Sequence, residues 1–172
     1  SSEIVVKLLN VNQYQVIDTV KTDAAGKFAC KIEVAEGQPE FVYLFYKDRK
    51  VASLLLEAGD RVNVQTDTSG VSTVEGSEAS LKLAAVEADF AAAKSSMIAV
   101  SEKLLSAEGA EADELRNQLG KVYIDYYRSR VLYIMQNSRS LTVVPVLFQS
   151  LTETLPVFGQ ATDAIHFNNA AD

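Results

Sequence analysis

Cysteine and histidine are almost absent from this chain of 172 residues, which contains one of each. A single cysteine excludes an internal disulfide and a zinc site built on several cysteines, and a single histidine excludes metal sites built on several histidines. Glycine-rich phosphate loops, the Gly-x-Ser-x-Gly elbow and the His-Glu-x-x-His pair are also missing. We therefore expect no catalytic, cofactor-binding or metal-binding residues, and no cofactor.

Positive charge is scarce as well, since 16 Lys and Arg residues face 23 Asp and Glu residues and the net charge is −7. Nucleic acids and anionic lipid surfaces are bound through clustered basic residues, so neither is an expected partner. No run approaches the roughly 18 apolar residues of a membrane span, so we expect no transmembrane segment. With 48% hydrophobic residues, the composition is that of a globular protein.

Residues 1–76 have the pattern of short strands separated by turns. Asp23–Gly26 has the composition of a hairpin turn. Apolar and polar residues then alternate from Phe28 to Val34, which predicts a half-buried strand with Cys30 on its inner face. Six or seven such strands without a helix predict an antiparallel β-sandwich or open barrel.

After Gly76 the apolar period lengthens to that of helices. Ser77 is a suitable cap for a first helix that ends at Gly109, and a second helix is expected from about Ala112 to Asn137. Two long helices with a short connection predict an antiparallel hairpin, which makes the fold class α+β.

Shorter helices are expected in the rest of residues 77–172. A third is predicted from Thr142 to Leu155–Pro156, and a fourth begins at Thr162–Asp163. The fourth pattern is barely established when the sequence stops at Asp172. We therefore expect this helical segment to be truncated, with the natural polypeptide continuing beyond it.

Each residue that suggests chemistry also has a structural interpretation, which we favour. Cys30 is either a redox thiol or a buried core residue, and its inward strand position favours the core. His166 has no partner nearby in the sequence that would make it a ligand or a catalyst.

The helices carry three further sets of candidates. The tyrosines of the second helix form either an aromatic ligand platform or, as we expect, an interior seam, and its two arginines either hold an anion or pair with carboxylates. Acidic residues of the first helix are expected on a solvated face. The tyrosines are Tyr123, Tyr126, Tyr127 and Tyr133, the arginines are Arg128 and Arg130, and the acidic residues are Glu87, Asp89 and Glu102.

Four segments together resemble a known domain of bacterial envelope proteins. They are Val16–Phe28 with its turn, Leu54–Val62, Val74–Ser77 before the first helix, and Asn137–Leu141. In this order they resemble the N-terminal accessory domain, a domain of unknown function, that precedes the thioredoxin-like domain of Gram-negative envelope thiol-disulfide oxidoreductases. The matched residues look structural in that family, and the catalytic Cys-x-x-Cys has no counterpart here.

The resemblance implies a non-catalytic region that positions a downstream thioredoxin-like domain, in the periplasm or anchored to the cell envelope by a lipid. Its implied partners are that domain of the same polypeptide, a substrate protein, or a second copy in a homodimer. The alternative is a self-standing envelope module for ligand binding or adhesion that uses the face of the sandwich. An enzyme in its own right is the least favoured interpretation.

Overall fold

A computed structural model of the chain describes residues 1–10, 13–152 and 155–158. Its first four strands form one antiparallel sheet in the order β2-β1-β3-β4. These strands are β1 (Glu3–Asn10), β2 (Gln13–Lys21), β3 (Glu40–Tyr46) and β4 (Arg49–Leu56). The sheet confirms the antiparallel β-structure expected from the N-terminal pattern.

Strands β3 and β4 are apolar enough to be buried on both faces. In β3 the four residues Val42–Phe45 are buried, and in β4 the six residues Val51–Leu56 are buried. The two edge strands of the sheet therefore differ, since β4 is buried along most of its length whereas β2 is exposed along nearly its whole length. We call the side of the sheet that carries Ile4, Leu44 and Leu54 the core face.

A second, smaller layer lies on the core face. It contains the antiparallel pair β5 (Asn63–Thr66) and β6 (Ser72–Glu75), of which Val74 belongs to the buried core and Val64 packs against it. The expected strand over Phe28–Val34 is not formed, although Phe28 also packs against the core. The second layer therefore has one hydrogen-bonded strand pair beside an extended stretch of chain.

The switch from strands to helices occurs where the sequence predicts it, directly after Gly76. Helix α1 (Glu78–Leu104) begins with Ser77 as its cap, because the Ser80 backbone N–H donates to Ser77 Oγ at 3.1 Å. The hydroxyls of Ser77 and Ser80 both donate to the Leu55 carbonyl, at 3.2 and 3.0 Å. These bonds tie the first turns of the helix to β4.

The rest of the chain is a helical hairpin followed by short elements. Helix α2 spans Gly109–Gln136, α3 spans Val143–Leu147, and a small pair follows in β7 (Ser150–Thr152) and β8 (Leu155–Pro156). The α+β class and the long hairpin are thus confirmed.

Two details of the predicted helices are wrong. Gly109 opens α2 and does not end α1, and the third helix stops at Leu147 because the chain turns back into the β7–β8 pair. The predicted fourth helix at Thr162–Asp163 lies outside the described residues.

The chain divides into two compact units, residues 1–85 and 86–172. The predicted division at Gly76 precedes this boundary by about two helical turns, because the start of α1 is bonded to β4. The core of the second unit is formed by buried side chains of both long helices, α3 and the β7–β8 region. It comprises Val86, Met97, Tyr126, Ile134, Val146, Leu151, Val157 and Phe158.

Candidate functional site

A groove on the core face of the sheet is the strongest candidate for a binding site. It consists of two cavities, of about 670 and about 700 Å³, that lie between residues 26–34 on one side and residues 57–68 on the other. Ile4 and Val51 line the first cavity, and Leu44, Leu54 and Leu56 line the second. The sheet thus supplies an apolar floor, of which little is exposed, since these five side chains are only 2–8% exposed.

The two cavities adjoin each other. Phe28, Asn63 and Val64 line both of them, so the cavities are two parts of one depression. We call this depression the core-face groove. Its size suits a ligand of substantial volume, since pockets for organic ligands measure about 300 to 1,000 Å³.

One wall of the groove is formed by residues 28–34, which we call the open segment. Its side chains alternate as in a strand, with Phe28, Ile32 and Val34 half-buried and the residues between them exposed. No hydrogen-bonded strand pairing involves this stretch within the described part of the chain.

Hydrogen bonds hold the open segment at both ends. Before it, the backbone N–H of Asp23 donates to the Lys27 carbonyl at 2.8 Å, and Asp23 Oδ1 accepts from the N–H groups of Ala25 and Lys27, each at 2.8 Å. After it, the N–H of Gln38 donates to the Ala35 carbonyl at 3.0 Å. The segment is anchored at its two turns, and between them it has no strand pairing with the residues that the structure describes.

The opposite wall is β5, which is held in place by its pairing with β6 and by a hydrogen bond to β4. Its pairing partner is β6, and Thr66 Oγ1 donates to the Val51 carbonyl at 3.0 Å. The other edge of β5 has no paired strand among the residues that the structure describes. One wall of the groove is thus a strand edge, and the other is a segment with the side-chain alternation of a strand.

Charges around the groove nearly cancel. The side chains that line it include three basic and four acidic groups, namely Lys27, Lys31, Arg61, Glu33, Glu57, Asp60 and Asp67. Because neither sign prevails, a strongly charged ligand gains little here. The groove offers backbone groups and apolar contacts as its means of recognition.

Cys30 lies on the open segment and is exposed, so the prediction that it is buried in the core is wrong. The alternation of the segment is correct, but nothing covers this position as it covers Phe28 and Ile32. The protein around the thiol removes part of its hydration and thereby raises the pKa of Cys30, and the nearby Asp18 carboxylate raises it further. A reactive thiol requires the opposite shift.

The four tyrosines of α2 pack in or against the core of the helical unit, as the seam interpretation predicted. Tyr126 is buried and its hydroxyl donates to Gln149 Oε1 at 2.6 Å. Burial, as the largest cause, raises the pKa of Tyr126 to about 12. Tyr123 and Tyr127 stack with ring centroids 6.3 Å apart, and Tyr127 also contacts Phe158.

Arg130 pairs with a carboxylate, as expected. Its Nη2 donates to Asp89 Oδ2 at 3.1 Å, and its guanidinium lies 5.1 Å from the ring centroid of Tyr126 and 5.4 Å from that of Tyr133. Arg130 is buried while Asp89 stays largely exposed. This arrangement joins α1 to α2 and is structural in character.

The remaining candidates are dispersed. Arg128 and Glu102 are exposed, and Glu87 is half-buried. His166 lies outside the described residues. In the described ranges, no group of three or more His, Cys, Asp or Glu side chains is placed to hold a metal ion.

A stripe of large apolar residues on α2 is exposed. Ile124, Leu132 and Met135 are 46%, 54% and 50% exposed and fall on one side of the helix together with Arg128. Helical spacing predicts a second apolar face on α2, with Tyr127, Val131 and Ile134, that meets a neighbouring element such as the third helix. This prediction is confirmed, because Ile134 belongs to the core of the unit together with Val146 of α3, and Tyr127 and Val131 pack against that core.

Residues 1–83 match the family model described as "Domain of unknown function (DUF4369)". The match covers the β unit and the start of α1. No curated protein and no solved structure matches the chain. Within the described residues, no helix is both long and apolar enough to cross a membrane.

The groove was not anticipated from the sequence. The alternation of residues 28–34 indicated a strand, and nothing local to it reveals that the strand lacks neighbours. Tertiary structure alone places its backbone opposite β5 with the apolar floor between them.

Proposed function

We propose that this chain is a non-catalytic docking region of an envelope thiol-disulfide oxidoreductase. In this proposal it holds the substrate protein and positions a thioredoxin-like domain of the same polypeptide, which supplies the redox chemistry. The location would be the periplasm or the cell envelope, with a lipid anchor where the protein is membrane-attached. The resemblance of residues 16–28, 54–62, 74–77 and 137–141 to the accessory domain of such enzymes supports this proposal.

The core-face groove is the observation that carries the docking role. Its volume, the edge of β5 that has no paired strand among the described residues, and its nearly balanced charge suit the binding of polypeptide more than the turnover of a small polar substrate. The Cys30 thiol beside the groove has a raised pKa, whereas a nucleophilic cysteine requires a lowered pKa. The exposed stripe on α2 offers a separate apolar surface for a neighbouring domain.

The test of the redox assignment is the reading frame beyond the codon for Asp172. A Cys-x-x-Cys motif within a strand-helix-strand pattern is the expected result. A stop codon with no redox domain would overturn the assignment to an oxidoreductase. It would favour a self-standing binding or adhesion module.

A biochemical test separates docking from catalysis. The chain should bind a reduced and alkylated unfolded protein, such as lysozyme, and should not accelerate insulin reduction by dithiothreitol. Cys30→Ser is the matched variant and should behave identically in both assays. Insulin reduction that is lost in Cys30→Ser would contradict the non-catalytic assignment.

The self-standing binding module remains a second candidate because of a cluster on the other face of the sheet. The ring of Tyr14, which is 49% exposed, meets those of Tyr43 and Phe45 edge-on at 5.4 and 5.3 Å. Lys7 Nζ lies 4.0 Å from the ring centroid of Phe45. An exposed tyrosine that packs on buried aromatic rings is a common element of binding surfaces.

A further inference from the structure

We propose that Asp18, together with the bulge beside it, keeps the outer edge of β2 from pairing with the same strand of a second copy of this chain. Three features of β2 support this role. They are its exposed apolar edge, the hydrogen bond that Asp18 makes on that edge, and the irregular pairing of β2 with β1. The role is independent of the docking function proposed above.

Strand β2 is an edge strand that is open to solvent. It ends the four-stranded sheet, and eight of its nine residues are exposed. Three of them are large and apolar, since Tyr14, Val16 and Ile17 are 49%, 56% and 37% exposed. A long, apolar edge of this kind is a template for pairing with another chain, and folded proteins protect such edges with charged residues or bulges.

The backbone N–H groups of Thr19 and Lys21 point away from the sheet. The N–H of Thr22 donates to the Ser2 carbonyl at 2.8 Å, so Thr22 directs its backbone groups toward the rest of the sheet. Because successive residues of a strand direct their backbone groups to opposite sides, Lys21 and Thr19 face outward. The N–H of Thr19 is therefore a donor that an added strand would have to engage.

Asp18 already occupies this donor. Its Oδ1 accepts from the N–H of Thr19 at 2.8 Å, and Asp18 is the only acidic residue in β2. A strand that paired here would have to displace the carboxylate from this hydrogen bond. The added strand would also remove water from the displaced negative charge, which costs free energy. Asp18 thus opposes pairing both by its hydrogen bond and by its charge.

The bulge beside Asp18 interrupts the same edge. Asp18 and Val16 are opposite consecutive residues of β1, so Ile17 is an extra residue without a partner in that strand. An extra residue bends the strand and disturbs the alternation of its backbone groups. Residues 13–16 and residues 18–21 therefore cannot both pair in register with one straight strand, and the nine-residue edge is divided into two short ones.

The test is Asp18→Val in the full chain, because valine removes the acceptor and the charge together and favours strand pairing. Asp18 is exposed, so the variant should fold, which circular dichroism checks. Gln15→Val is the matched control, since it adds a valine at another exposed position of β2 and leaves Asp18 in place. Sedimentation equilibrium measures self-association, and amide hydrogen exchange at several protein concentrations locates the contact.

Asp18→Val should self-associate with an association constant at least about tenfold above that of the wild type, whereas Gln15→Val should match the wild type. In Asp18→Val the amides of Thr19 and Lys21 should exchange more slowly as the protein concentration rises. Equal association of Asp18→Val and the wild type would overturn the proposal, as would association that leaves these two amides unprotected. Protection of the same amides in the concentrated wild type would also overturn it, since the edge would then pair despite Asp18.

Discussion

Replacing Gly76 by alanine tests the contact that joins the second layer to the start of the helical region. Gly76 has a φ of +95°, and a Cβ built on it would lie 2.1 Å from the carbonyl oxygen of Arg61. Arg61 directly precedes Val62 and β5, so the contact fixes one end of the groove wall. Because the obstacle is backbone, no side-chain rotation relieves it.

The expected loss of stability has two parts. An alanine at positive φ costs about 1–2 kcal/mol relative to glycine. Forcing the backbone of Arg61 away from the new methyl group adds about 1–3 kcal/mol, the range found for overpacked sites. Gly76→Ala should therefore lower the free energy of unfolding by about 2–5 kcal/mol.

Gly59→Ala is the matched control. Gly59 has a similar φ of +87°, but no atom lies within 4 Å of the position its Cβ would take. Gly59→Ala should therefore lose only the stability that an alanine at positive φ costs. The smaller conformational entropy of the unfolded alanine chain affects both variants equally. Urea unfolding followed by circular dichroism gives both values. Equal losses in the two variants would refute the close approach of Gly76 to Arg61.

Three further predictions address the helical unit and the thiol. Phe90→Ala should lower the free energy of unfolding by about 2–3 kcal/mol, because the half-buried Phe90 packs on the helical core and its ring centroid lies 6.2 Å from that of Tyr126. Ile98 is exposed, so Ile98→Ala should change this free energy by no more than about 0.5 kcal/mol. Similar losses for the two variants in urea unfolding would contradict this prediction. Cys30 should react with a thiol reagent in the folded protein, but more slowly than in denaturant at the same pH. Asp18→Asn should speed the reaction of the folded protein, because it removes a negative charge that raises the pKa of the thiol. An unchanged rate in Asp18→Asn would argue against that electrostatic influence. Tyr126 keeps its proton up to a pKa of about 12 in the folded chain against 10.0 when unfolded, so its contribution to stability should be complete below pH 10 and decline as the pH rises from 10 to 12. Unfolding measurements should show a weaker decline in Tyr126→Phe, and an identical decline would refute the assignment.

The proposals place docking and redox chemistry on different parts of one polypeptide. A thioredoxin-like domain reduces or oxidises a disulfide only where the substrate chain is held accessible to it. In this proposal, a chain with a single cysteine of raised pKa leaves the redox chemistry to the thioredoxin-like domain.

Much of the secondary structure was predictable from the residues because its causes are local. The continuous apolar runs of β3 and β4 indicate buried strands, and the spacing of Leu83, Val86 and Met97 places three buried residues on one side of α1. Asp23–Gly26 forms the expected turn, with Gly26 at a φ of +78°. Ser77 caps α1 because a serine hydroxyl reaches the free N–H groups of the first turn.

Errors arose where long-range contacts overrode a local pattern. The stretch from Val143 to Pro156 is apolar enough for one helix, yet β7 and β8 pair within it. Tyr127, Val131 and Ile134 of α2 pack in or against the core as expected, but helical spacing did not reveal that Ile124, Leu132 and Met135 stay exposed.

The α+β class, the turn at Asp23–Gly26, the cap at Ser77 and the switch of apolar period after Gly76 were all predictable from the residues alone. Each of these depends on interactions between residues a few positions apart. The exposure of Cys30, the ion pair of Arg130 with Asp89, and the lack of strand pairing at residues 28–34 among the described residues are visible only in the folded chain. Strand pairing and burial are properties of neighbours distant in sequence, and the pattern of a strand is the same whether its edge is filled or open.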